Sequence, residues 1–206
     1  MEQYIKNKDL AKVPKTWKML EEKHVDINDA YYGIDIMVQF NDTAILEGDS
    51  FLDNPSEHHF IGLGDATSSG SIYTAFVVDK SKPFEEQPIV AFGDEGQICL
   101  IAKDFDDFLR LLTIGREVYL DYDSLDGAFF PEPEEGYLED EQLETLEEFR
   151  QVMREAGFEL CEFGCDKSYE FQDEIIQAAQ VYRKPLIKIL KRIAPGIVMG
   201  LWEDEE

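Results

Sequence analysis

The chain has 206 residues, 44% of them hydrophobic, enough for one sizeable core and too many for disorder along its whole length. Its 45 acidic and 19 basic residues leave a formal net charge of -26, and such a surface repels nucleic-acid backbones and anionic membranes. No stretch approaches 18 apolar residues and the start lacks a basic run followed by an apolar one, so neither a membrane span nor a leader is expected, and the expected compartment is the cytoplasm.

Residues 9–23 read as a short amphipathic helix with Pro14 near its first turn and Trp17 and Leu20 on one side. Residues 31–40 alternate loosely and favour a strand, and residues 43–47 form the next candidate. The middle of the chain is clearer. A strand is expected over 59–63, a turn-rich loop over 64–70, and a β-branched and aromatic strand over 71–79. The apolar run 88–92 and the segment 97–102 are joined by Gly93-Asp94-Glu95-Gly96, the signature of a β-hairpin. Residues 104–114 then carry Phe105, Phe108, Leu109, Leu111 and Leu112 at helical spacing, with Asp104 as N-cap and Gly115 as stop.

An edge strand is expected over 117–123 and a loop over 126–136, which contains Pro131 and Pro133. Residues 139–156 form a helix with one apolar side (Leu143, Leu146, Phe149, Val152, Met153), ended by Gly157. Residues 171–194 hold a final helical run that Pro185 must kink or divide. There is no internal repeat. Residues 1–206 are read as one domain, with a β-rich front over about 1–123 and an α-rich back over about 138–202.

The charge is uneven. Residues 117–174 carry 20 acids and 3 bases, whereas residues 175–202 carry five bases and no acid. Three cysteines do not make a disulfide scaffold, and Cys161 and Cys165 lack the spacing of a redox or zinc pair. Asp121 to Glu132 has the length of a calcium loop, but Asp126 stands where glycine is needed and Pro131 interrupts it, so no metal is expected. His58 and His59 have no third ligand at a useful spacing. No P-loop, dinucleotide fingerprint or nucleophile elbow occurs, so neither a cofactor nor catalysis is expected.

Between Phe60 and Gly115 an ordered set of features stands out: Gly62, Gly64, Tyr73, Pro88, Ile89, Gly93, Glu95, Gly96, Ala102, Phe105, Phe108 and Leu109. This order resembles the SUKH superfamily of Smi/Knr-type proteins over about 55 residues. The front of the family pattern, a helix with L-P-x-x-[YF] and an N-G-G turn, is echoed only by Val13-Pro14. The resemblance implies an α+β fold with a curved, mostly antiparallel sheet flanked by helices. It also implies an immunity-type protein that binds and neutralises a bacterial toxin by covering its active surface. A basic nuclease is one such target. A regulatory or scaffold protein of the same fold is the second reading, and a carboxylate-based hydrolase the third.

Physically, an acidic inhibitor suits a basic target, because carboxylates stand in for phosphates and steer the encounter. The expected partner-binding residues are Tyr119, Asp121, Tyr122, Asp123, Glu132, Glu134, Glu135, Tyr137, Glu139, Asp140 and Glu141, with the tyrosines as aromatic anchors among the acids.

Overall fold

Alternation of large side chains in the middle of the chain sets the architecture. The computed structural model describes residues 3–4, 13–30, 35–36, 45–46, 59–122, 124–132, 134, 137–161 and 167–193. The strands are β1 (Gln3–Tyr4), β2 (Asp35–Ile36), β3 (Ile45–Leu46), β4 (Phe60–Asp65), β5 (Ile72–Phe76), β6 (Ile89–Phe92), β7 (Ile98–Ala102), β8 (Tyr119–Leu120) and β9 (Ala128–Phe129). The helices are α1 (Lys15–Glu22), α2 (Phe105–Leu112), α3 (Asp140–Glu155), α4 (Lys167–Ala179) and α5 (Arg183–Ile193). The fold is α+β: an open antiparallel sheet in the order β2-β4-β5-β6-β7, with helices against it. Among the described residues, two small ribbons, β1-β3 and β8-β9, complete the strand pairing.

The sheet is covered on both faces, and the period of two in its strands sorts the residues. Tyr73, Ala75, Ile89, Ala91, Cys99 and Ile101 point into the larger core with Phe105 and Phe108 of α2 and Phe149, Val152 and Met153 of α3. Phe76, Val90, Phe92, Ile98 and Leu100 point the other way, against Leu186 and Leu190 of α5. The larger core therefore draws side chains from both the strand-rich and the helix-rich part of the chain.

Helix α4 contributes Ile175 and Ile176 to the first cluster and Ala179 to the second, so it crosses the edge of β7 from one face to the other. The open backbone of β7 is closed there. Leu100 N–H donates to Leu125 O at 2.7 Å, and the Gln180 amide donates to Leu100 O at 3.2 Å. A bare edge would otherwise invite pairing with another chain.

Helix ends follow the sequence signals. Asp104 accepts from Asp107 N–H at 2.8 Å and caps α2. Glu139 and Gln142 form a reciprocal capping box at the start of α3. Three readings change. Strand β4 runs on to Asp65, taking in Gly64, whose φ of +145° at a bulge in the β4–β5 pairing suits glycine alone. Residues 126–136 are not all loop, since Ala128–Phe129 pairs with Tyr119–Leu120. The last helical run begins at Lys167 and divides at Gln180–Tyr182, ahead of Pro185. The described strand within residues 31–40 is Asp35–Ile36, and the rest of that expected strand, like residues 9–12, lies outside the described residues.

Candidate functional site

The short ribbon β8–β9 presents an aromatic surface. Leu120 and Ala128 are paired and buried, so the pair one step along, Tyr119 and Phe129, faces outward. Tyr119 is 66% exposed. The ribbon is held down from below by Leu125, which is fully buried in the α5-side cluster. Phe129 stacks on Tyr169 of α4, with ring centroids 5.1 Å apart and planes 11° from parallel. Tyr169 is itself 59% exposed. Tyr119, Phe129 and Tyr169 thus form an outward aromatic strip on two elements.

Gln172 fixes the two elements to each other. Its buried amide accepts from Phe130 N–H at 2.7 Å and donates to Phe130 O at 3.1 Å, copying a strand pairing between helix and ribbon. Beside this junction lies a groove of about 390 Å³. Its α4 wall is Tyr169, Gln172, Asp173 and Ile176, one helical face at i, i+3, i+4 and i+7. Glu170 and Asp126 add carboxylates at its rim. The Ser124 hydroxyl donates to Asp126, which holds its carboxyl below the usual range. The Gln177 amide and the Arg183 guanidinium act in the same direction, against some burial.

The remaining expected contact residues divide between exposed and engaged. Asp121 and Tyr122 are exposed, but the Tyr122 hydroxyl donates to the Glu95 carboxylate in the β6–β7 turn. Arg116 organises the next segment. It donates to Glu132 O at 3.1 Å, lies 3.8 Å from the Glu134 carboxylate, and sits over the Tyr137 ring at 4.2 Å. Glu132 is half-buried, whereas Glu134 is open to solvent. Glu139 belongs to the cap of α3, and Asp140 and Glu141 are exposed in its first turn, where negative charge suits the helix dipole. Asp123 and Glu135 lie outside the described residues.

Phe129, Tyr169, Glu170 and Asp173 escape the sequence reading. Their helical half has a signal, the spacing of Tyr169, Asp173 and Ile176. Phe129 has none, because Phe129-Phe130 before Pro131 reads as loop. A second trough, of about 720 Å³, lies between Glu144, Glu147 and Glu148 of α3 and Lys23 with Val25. Among the described residues, no group of three or more His, Cys, Asp or Glu is placed to hold a metal, and no helix is long and apolar enough to cross a membrane. Comparison of the chain with family models, with curated proteins and with solved structures finds no match.

Proposed function

We propose that this chain is an immunity-type binding protein that captures a basic protein domain and covers its active surface. The resemblance to the SUKH superfamily supports a bacterial toxin domain, such as a nuclease, as the target. The observation that carries the reading is the outward strip of Tyr119, Phe129 and Tyr169, set on a braced junction and rimmed by carboxylates. Aromatic anchors with a polar rim are the usual composition of a protein-binding hot spot. The net charge of -26 adds steering toward a positive partner.

The test is a binding experiment with a basic toxin domain, sought first in neighbouring reading frames, followed by size exclusion and intact mass. The expected result is a 1:1 complex in which toxin activity is lost, with an association rate that falls as salt rises. Replacing Tyr119 and Tyr169 together by alanine should weaken binding by about 10- to 100-fold, the range for two hot-spot aromatics. Absence of a complex at low salt, or substrate turnover by the isolated chain, would end this reading.

A further inference from the structure

We infer that the groove beside the Phe129–Tyr169 stack is a receptor for one arginine side chain of the partner. The inference rests on the proposed binding function and names the group that this surface grips.

The chain builds the same kind of receptor twice for its own arginines. Arg110 lies over the Phe171 ring at 5.0 Å, pairs with the Asp107 carboxylate at 2.7 Å and donates to Glu159 O at 3.2 Å. Arg116 lies over the Tyr137 ring, with the Glu134 carboxylate and Glu132 O beside it. Each site combines a ring face with a carboxylate. Tyr169 with Asp173 and Glu170 repeats that combination, and among the described residues no cation lies over the Tyr169 ring and neither carboxylate has an ion pair.

The geometry fixes how an arginine would sit. Sandwiching a guanidinium between two rings needs centroids about 7 Å apart, two layers of ordinary contact distance. Phe129 and Tyr169 are only 5.1 Å apart. The guest therefore stacks on the outer face of Tyr169, while Phe129 supports the inner face. From there Asp173, one turn along the same helical face, receives its N–H groups. Gln172 does not compete, since its amide is engaged with Phe130. A guanidinium is flat, weakly hydrated and forked, so it stacks and pairs at once. A lysine ammonium keeps its water and does only one of these well.

The experiment titrates N-acetyl-arginine amide and, separately, N-acetyl-lysine amide into the full chain, read by amide and ring NMR shifts. Saturable shifts confined to residues 126–130 and 169–176 are expected, with arginine at least about threefold tighter than lysine, as the added ring stacking implies. Tyr169→Ala should weaken arginine binding at least about fivefold, and Asp173→Asn should weaken it without altering the shifts of the Phe129 ring by itself. Equal binding of the two amides, shifts centred elsewhere, or indifference to Tyr169→Ala would each overturn the inference. If the basic partner binds Tyr169→Ala as well as the unaltered chain, the groove fails while the binding function stands. If arginine fills the groove but no basic partner is captured, the function fails and the groove stands.

Discussion

Cys99 shows how a single buried group ties the sheet to the ribbon and couples stability to pH. Its side chain is fully buried under β7, with Sγ 3.8 Å from Asp121 O and 3.6 Å from Ser124 O. Burial pushes the thiol up from 9.0 to about 12. The folded chain thus resists ionisation that the unfolded chain accepts. The raised value means that stability is intact below about pH 9 and is lost as pH climbs toward 12. At about pH 10.5 the loss from this group is about 2 kcal/mol by linkage. Cys99→Ala removes that contribution, so urea midpoints of the two proteins should converge between about pH 8 and pH 10.5. Parallel pH dependences would show that Cys99 does not carry it. The sequence allowed a buried free thiol at this position. It carried no sign that the thiol lies under the candidate binding ribbon, because that contact joins residues more than 20 positions apart.

At the scale of elements, legibility tracked the length of the pattern. Helix α2 was readable because apolar periodicity, the Asp104 N-cap and the Gly115 stop agree, and α3 because a long apolar periodicity runs up to the Gly157 stop. The β6–β7 hairpin was readable from its turn, where Gly96 has φ of +97°. Ribbon β8–β9 was half missed because each strand is two residues long and an acidic turn separates them. The break at Gln180–Tyr182 is the cost of Pro185. Its ring meets the carbonyl four residues back, at Val181, and it lacks the N–H that would bond there. The dividing proline was legible, but the site of division was not. The Gln172 junction was invisible, since an amide at helical spacing reads as surface. Gln172→Leu leaves the buried Phe130 N–H and C=O unpaired and should cost about 2–3 kcal/mol in urea unfolding. It should also loosen the Phe129–Tyr169 stack, seen as faster hydrogen exchange at Phe130. A loss below about 0.5 kcal/mol would mean that α4 is held to the ribbon by packing alone.

The whole molecule is dominated by one sign of charge, and the ion pairs among the described residues do not offset it. Arg150 is buried; its guanidinium donates to Thr113 O and Cys161 O, where α2 ends and beyond α3, and lies 3.7 Å from the exposed Glu147 carboxylate. Lys23 with Glu155 and Arg154 with Glu147 form exposed pairs, of the kind that contributes little, whereas Arg110 and Lys103 share the buried Asp107 carboxylate. The composition announced this excess of carboxylates. What it did not reveal is that Arg116 partly neutralises the stretch around Glu134, while Asp173 and Glu170 have no ion pair among the described residues. Self-repulsion therefore opposes the folded state, and screening should relieve it. Raising sodium chloride from about 20 mM to about 300 mM shortens the screening length from about 20 Å to about 6 Å. The urea midpoint should rise over that range. The pair Glu144→Gln and Glu148→Gln, on the exposed face of α3, should raise it at low salt and much less at high salt. A midpoint that falls with salt would mean that attractive pairs outweigh the repulsion. The same salt series gives opposite signs for folding and for capture of a basic partner. A protein stabilised by salt whose complex is weakened by it has its carboxylates arranged for a positive partner at some expense to its own stability.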